Sequence, residues 1–336
     1  MKVAIVSPGP IRSFSLCYQS WVKKLIVPLE NTIGKDNVKV FMYNSIITDE
    51  VYEKELKDSI FNTKLGTDTD GWQEIFENSP YITYHDIYKY NDKYIEEIFN
   101  EINEFNGTNY NPYSLKKYTK FIEKKNFTYK SYYMLIQGIC LNYNNKKLID
   151  LVPDKYDLII KIRPDVFLVE PYPIKELLQM KENTIYLQVK KHKGTVRTLQ
   201  KKLLDDDNFI LGKRWDNFYM GHTKTLKQLY SNLFSLFNLH INNFITKPLL
   251  QEECIPEWFF QNIILSEKIM VDKYFYHGVA DKRFIIPSTK KNKRKLKLVR
   301  RSGESKIKFA RKNRFNWFIM VDDNCTKKNL VDYYSK

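Results

Sequence analysis

The sequence predicts an α/β domain built on a mostly parallel sheet that is flanked by helices. Residues 2–6 form a short apolar run bounded by proline and glycine, as expected of a buried strand. Residues 12–29 carry apolar side chains at helical spacing, with Ser13 available as an early cap. Residues 38–43 return to an apolar run. A strand, a helix and a second strand at this spacing are the beginning of an α/β domain with a parallel sheet, in which ligands bind beyond the carboxyl ends of the strands.

The next part of the chain is expected to be mainly helical. Residues 48–125 are rich in Tyr, Asn, Glu and Lys and show helical periodicity, which predicts a helical insertion. A further helix is predicted over residues 129–149. The segment after this helix has the apolar pattern of a β-strand.

Residues 156–169, with the sequence YDLIIKIRPDVFLV, predict a buried strand that ends abruptly. Two apolar runs flank Arg163, Pro164 and Asp165. Because proline cannot donate to a strand ladder, this triplet is expected to break the strand at its carboxyl end. Asp165 would then lie at the rim of the sheet.

The remaining elements follow from the same patterns. Strands are predicted over residues 184–189, 208–211, 269–276 and 316–321, and helices over residues 223–237 and 257–266.

Composition excludes several classes of protein. The chain has 336 residues, 43% hydrophobic and 28% charged, which excludes a disordered or fibrous protein. The N-terminal apolar run is shorter than a signal-peptide core or a membrane-spanning helix, and the four cysteines are scattered, so we expect a cytoplasmic protein with reduced thiols. The formal net charge of +16 favours an anionic partner.

The charge is concentrated near the carboxyl end. Residues 289–314 carry thirteen Lys or Arg and one acid, so the predicted organisation is one domain over residues 1–288, which includes the helical insertion, and a basic extension over residues 289–336. An alternative function therefore stays open, in which this arm binds nucleic acid or an anionic membrane by counterion release. That alternative predicts an affinity that falls steeply with salt.

Arg163 and Asp165 are the first candidates for chemistry. A carboxylate suits a hard divalent metal, and a planar guanidinium pairs well with phosphate. A second interpretation is that the two side chains pair with each other and cap the strand. Spacing alone leaves both interpretations open.

Three patches together resemble GT-A-fold glycosyltransferases of viral and bacterial surface-glycan pathways. The stretch YDLIIKIRPD at residues 156–165 is similar to their central element. The loop SPGPIRSF at residues 7–14, followed by Cys17 and Ser20, is similar to their "SGxxRxF" start, and the aromatic helix at 132–137 precedes the strand as it does in that group.

The resemblance implies a nucleotide-diphosphate sugar donor, with a UDP-sugar favoured, and a glycan acceptor. Asp165 would stand where the last acid of a DxD motif binds Mn²⁺ or Mg²⁺, and His277 would be a further metal ligand. This chain has Arg163 in place of the first acid, so Arg163 could instead neutralise diphosphate charge directly. The residues expected at the nucleotide are Ser7, Pro8, Gly9 and Arg12.

Inverting sugar transfer also needs a carboxylate that removes the proton of the acceptor hydroxyl. Glu257 opens a predicted helix after Pro256, where the helix dipole also explains an acid, and Asp216 is the second candidate. A retaining enzyme would need neither. Aromatic side chains that could stack on acceptor sugars, with a core role as the alternative, are Trp215, Tyr219, Trp258 and Phe259.

Overall fold

The computed structural model describes the main body of the chain. The described residues are 1–11, 14–46, 71–119, 121–124, 127–164, 166, 168, 172, 174–188, 218–246, 270–275, 283–285 and 318–320.

The architecture is the predicted α/β class, with one seven-stranded sheet between two layers of helices. Its strands are β1 (Val3–Pro10), β2 (Val38–Ile46), β3 (Ile82–Lys89), β6 (Leu158–Ile162), β7 (Thr184–Gln188), β8 (Phe218–His222) and β9 (Met270–Phe275). They lie in the order β3-β2-β1-β6-β8-β7-β9. β8 runs antiparallel to both of its neighbours, and the other pairs are parallel.

Two small ladders lie apart from this sheet. β4 (Phe121–Lys124) and β5 (Phe127–Lys130) form an antiparallel hairpin. β10 (Arg283–Ile285) and β11 (Phe318–Met320) pair in parallel, so part of the predicted basic extension pairs with a strand from before residue 289.

Helices cover both faces of the main sheet. They are α1 (Phe14–Trp21), α2 (Val27–Ile33), α3 (Trp72–Asn78), α4 (Asp92–Asn106), α5 (Ser131–Leu151), α6 (Ile174–Leu177), α7 (Thr223–Leu229) and α8 (Leu233–Thr246). Side chains of β1 alternate between two cores: Val3 and Ile5 pack on the α1 face, and Ala4 and Val6 pack on the α5 face. Within the described ranges, every helix is too short or too polar to span a lipid bilayer.

A π-helical turn, Val22–Ile26, joins α1 to α2. Its cause is Pro28, which has no N–H for the carbonyl of Lys24, four residues earlier. The backbone N–H of Tyr172 donates to that carbonyl at 3.1 Å instead. The freed carbonyl thus holds the chain that follows β6 against the helix that follows β1.

Several predicted elements are confirmed with small shifts in their ends, and others differ. The predicted helix 129–149 is α5, and the strand before Pro164 is β6, which is buried along its whole length. The predicted helix 223–237 is two helices, α7 and α8, with a turn between them. The predicted elements at 208–211 and 257–266 lie outside the described residues.

The segment 48–125 contains α3 and α4, as its periodicity predicts, and also β3, an edge strand of the main sheet. β3 has half-exposed and exposed side chains, several of them polar, so it lacks the apolar run that identifies a strand buried on both faces.

Candidate functional site

The strand order reverses direction between β1 and β6. β2 and β3 follow on one side of β1, and β6 begins the other half of the sheet. In open α/β sheets, ligands bind in the crevice outside the carboxyl ends of the strands at such a switch point. The candidate site is therefore the carboxyl edge between β1 and β6.

The two strands end at different heights at this edge. β1 pairs with β6 from Val3 opposite Leu158 to Val6 opposite Lys161. It then continues alongside β2 as far as Pro10 opposite Ser45. Ser7, Pro8 and Gly9, the predicted nucleotide-binding residues, therefore have their backbone edge turned towards the chain that leaves β6.

The chain turns sharply on leaving β6. The N–H of Val166 donates to the carbonyl of Arg163 at 3.1 Å, which closes a four-residue turn across the buried Pro164. Proline at the second position fits such a turn because its φ is already fixed near the required value. The Arg163 side chain is half-buried at the start of this turn. The turn thus follows directly from the break that Pro164 predicts.

Side chains of α1 hold this turn in place. Trp21 Nε1 donates to the carbonyl of Val166 at 2.7 Å, and the N–H of Leu168 donates to Ser20 Oγ at 2.9 Å. The Ser20 hydroxyl in turn donates to the carbonyl of Cys17 at 2.6 Å. Because α1 follows the first loop, these bonds bring together two segments about 150 residues apart.

The first loop is itself anchored at both ends. The N–H of Ile11 donates to the carbonyl of Ser45 at 3.0 Å, and the N–H of Phe14 donates to the carbonyl of Ile11 at 2.9 Å. Gly9 has a φ of +110°, and no atom lies within 4 Å of the place where a Cβ would stand. A side chain at Gly9 would be strained by the backbone, and it would project into open space.

Asn44, on β2, fixes the shape of this loop, and the sequence patterns did not identify it. Its Nδ2 donates to the carbonyls of Ser7 at 3.0 Å and Gly9 at 2.8 Å. Since both partners are acceptors, the amide nitrogen must face them and Oδ1 must face away. The only signal in the sequence is an amide that continues the apolar alternation of Val38, Val40 and Met42.

Two buried polar atoms at this edge have no hydrogen-bond partner among the described residues: Ser7 Oγ and Asn44 Oδ1. Their side chains lie on the α1 face of neighbouring strands, and both residues are fully buried. Buried polar atoms are nearly always paired, and leaving one unpaired costs about 1–3 kcal/mol. A hydroxyl on β1 and an amide oxygen on β2, both near the carboxyl edge of the sheet, are therefore candidates for contact with a polar ligand.

Lys161 is a second unusual group at the end of β6. It is fully buried on the α5 face, and its Nζ lies 5.4 Å from the centroid of the Tyr219 ring. The hydroxyl of Tyr219 is 2.7 Å from that of Tyr230, whose pKa is raised by burial. Tyr219 is therefore a core residue, and its interpretation as an acceptor-stacking residue is wrong because its ring has no exposed face.

The other expected site residues lie outside the described part of the chain: Arg12, Asp165, Trp215, Asp216, Glu257, Trp258, Phe259 and His277. Within the described part, no group of three or more His, Cys, Asp or Glu side chains is close enough to hold a metal ion. The roles given to these residues stay predictions.

Comparisons with known proteins found likenesses among solved structures and none in sequence. No protein-family model matches the chain, and no curated protein matches it in sequence. Among solved structures, the apo form of mouse xyloside xylosyltransferase 1 superposes with a TM-score of 0.34 and 9% identity, over 84% of this chain and 87% of that chain. A likeness of this size carries no argument about activity.

Proposed function

We propose that this chain is a glycosyltransferase that moves a sugar from a nucleotide-diphosphate donor to a hydroxyl of a glycan acceptor. One observation supports this above the others. The two motifs that resemble GT-A glycosyltransferases, the loop after β1 and the Arg163 turn after β6, follow neighbouring strands at one edge of the sheet. Trp21, on the helix that follows the loop, bonds the turn through its Nε1 and the carbonyl of Val166. Donor binding at a switch point needs such a convergence.

The first loop is the proposed nucleotide site. Arg12 and the backbone of residues 7–9 would hold the nucleotide, and Ser7 Oγ and Asn44 Oδ1 would gain polar partners from the nucleoside. Arg163 would carry the diphosphate, because a guanidinium can form paired hydrogen bonds to phosphate oxygens.

A divalent metal is part of the proposal through Asp165 and His277. Mn²⁺ or Mg²⁺ bound to a carboxylate would neutralise negative charge on the diphosphate. Arg163 supplies a fixed positive charge in the same region whether or not the metal is needed.

The proposed base is Glu257, with Asp216 as the second candidate. Asp216 gains support from the sheet. Phe218, the first residue of β8, pairs with Ile162 at the carboxyl end of β6. Asp216 precedes it by two residues, and two residues of chain reach at most about 7 Å. A carboxylate there could meet an acceptor bound beside Arg163.

A thermal-shift screen of UDP-, GDP- and CMP-sugars, with and without Mn²⁺, tests the proposal. We expect one nucleotide class to raise the melting temperature, because a ligand that binds only the folded state stabilises it. The responding donor is then used in hydrolysis and transfer assays with wild type and Asp165→Asn, in which the variant should lose activity. No response to any donor would contradict the proposal.

Replacing Ser7 by alanine should separate stability from ligand binding. Ser7→Ala removes a buried hydroxyl that has no partner among the described residues, so we expect the free energy of unfolding to rise by about 1 kcal/mol. Affinity for the nucleotide found in the screen should fall by about tenfold, since a hydrogen bond to the ligand is lost.

Ser20→Ala is the matched control for this change. Ser20 is also a buried serine, but its hydroxyl bonds both Cys17 and Leu168. Its loss should lower stability by about 1–2 kcal/mol. Urea denaturation with and without nucleotide measures both effects. If Ser7→Ala proves less stable than wild type and binds the nucleotide normally, Ser7 is a packing residue only.

A further inference from the structure

The direction of α5 places its first residues at the same edge of the sheet as the candidate site. The helix ends at Leu151, and soon afterwards the N–H of Asp157 donates to the carbonyl of Lys2 at 2.9 Å, at the amino end of β1. A helix of 21 residues is about 30 Å long, close to the length of β1, so its other end reaches the carboxyl edge.

Next to the start of α5 lies a cluster of lysines and tyrosines that we call the Lys-Tyr platform; it consists of Tyr113, Lys116, Lys117, Tyr118 and Tyr132. The Nζ of Lys116 is 5.1 Å from the centroid of the Tyr113 ring and 5.6 Å from that of Tyr132. The Nζ of Lys117 is 5.0 Å from the centroid of the Tyr118 ring.

The platform is rigid because its backbone is tied down from several directions. The carboxamide oxygen of Asn111 accepts from the N–H of Tyr113 at 2.8 Å, and Leu115 is buried beneath the short 3₁₀ helix Ser114–Tyr118. Asn103 on α4 bonds both the carbonyl and the N–H of Tyr110, at 2.9 and 2.8 Å. The Tyr110 hydroxyl bonds Asn242 on α8 at 2.9 Å.

The two ammonium groups are held by aromatic faces and not by acids. Both lysines are exposed, and among the described residues no carboxylate lies within ion-pair distance of either. The chain over residues 114–130 carries six Lys and one acid, Glu123. A tyrosine ring attracts a cation but carries no net charge, so the positive charge of these lysines can still attract an anionic ligand.

We infer that the Lys-Tyr platform binds an anionic group on the acceptor, so that the acceptor is an acidic saccharide carrying carboxylate or phosphate. This rests on the proposed function, because a donor bound at the carboxyl edge needs its acceptor at the same edge. Two exposed cations beside tyrosine rings fit a charged sugar, whose C–H face packs on an aromatic side chain. A membrane surface would engage the lysine charges alone, and the tyrosine faces would then have no part in the binding.

The test compares oligosaccharides of equal length on the full chain. Pentagalacturonic acid supplies carboxylates, phosphorylated maltopentaose supplies phosphate, and maltopentaose is neutral. Affinity is measured by calorimetry for wild type, for Lys116→Gln/Lys117→Gln, and for the control Lys35→Gln/Lys175→Gln, which removes two exposed lysines away from the platform. Thermal shift with the donor nucleotide is recorded for each variant.

We expect at least one acidic pentasaccharide to bind more tightly than maltopentaose, and the platform variant to weaken that binding by about tenfold. The control should bind like wild type, and donor binding should be unchanged in all three proteins. Normal nucleotide shifts with no lysine-dependent saccharide binding would overturn this inference and leave the proposed function standing. If saccharide binding depends on the two lysines but no nucleotide shifts the melting temperature, the Lys-Tyr platform binds acidic saccharides and the proposed glycosyltransferase function is wrong.

Equal affinity for acidic and neutral pentasaccharides would also overturn it. Phosphatidylserine vesicles and a single-stranded RNA serve as competitor ligands. If either binds through Lys116 and Lys117 while the acidic pentasaccharides do not, the platform belongs to the membrane or nucleic-acid alternative.

Discussion

Replacing Arg163 by methionine is expected to lower kcat/KM for the nucleotide-sugar donor by about 100-fold or more. The side chain is half-buried at the start of the turn that leaves β6, beside the open edge of the first loop. Methionine keeps much of the length and apolar contact of arginine but removes the charge. A hydrogen-bond donor that is directed at charge developing in the transition state typically raises the rate by about 100- to 1000-fold.

Arg163→Lys refines this expectation. Lysine keeps the charge but loses the planar pair of N–H groups, so it should recover part of the activity and leave KM for the donor raised. Lys155→Met is the control, because Lys155 is an exposed cation on the loop before β6, at the opposite edge of the sheet. The assay is steady-state donor hydrolysis and transfer, with urea denaturation run in parallel. An active Arg163→Met enzyme, or one that has only lost stability, would show that Arg163 caps the strand and does no more.

The fold could be predicted from the sequence for those elements that the neighbouring layers bury. β1 and β6 carry mostly apolar side chains because neighbouring layers cover both faces, and β1, β6 and α5 were each predicted within a few residues of their observed ends. β3 and β8 were missed for different reasons. β3 is an edge strand with polar side chains, and β8 is a five-residue strand whose sequence includes Gly221 and His222.

Parts of the candidate site could be predicted only where the residue type itself limits the local backbone structure. Pro164 predicts the end of a strand, and the glycine and prolines of the first loop predict a loop there. Asn44 and Trp21 act on partners 35 and 145 residues away, which local spacing cannot show. The same holds for the Lys-Tyr platform, since only the path of α5 brings it to the sheet edge.

The largest effect expected on stability comes from His240, a buried imidazole on α8. Its relative exposure is 3%, and desolvation by burial lowers its pKa from 6.5 to about 3. Between those pH values the unfolded chain binds one more proton than the folded chain. The free energy of unfolding should therefore fall as the pH falls, by about 1.4 kcal/mol for each pH unit, or about 2 kcal/mol between pH 6.5 and pH 5.

His240→Gln should flatten this part of the pH profile, because glutamine keeps hydrogen-bonding groups and does not titrate. Urea denaturation at pH 7.0, 6.0 and 5.0 gives the stability difference between wild type and variant, which should shift by about 2 kcal/mol in favour of the variant across the series. His85→Gln, which replaces an exposed imidazole on β3, is the control for the exchange of a histidine for a glutamine. Carboxylates elsewhere contribute equally to all three proteins and cancel in the difference. Parallel profiles for wild type and His240→Gln would mean that His240 is protonated in the folded protein, with a buried partner that stabilises its charge.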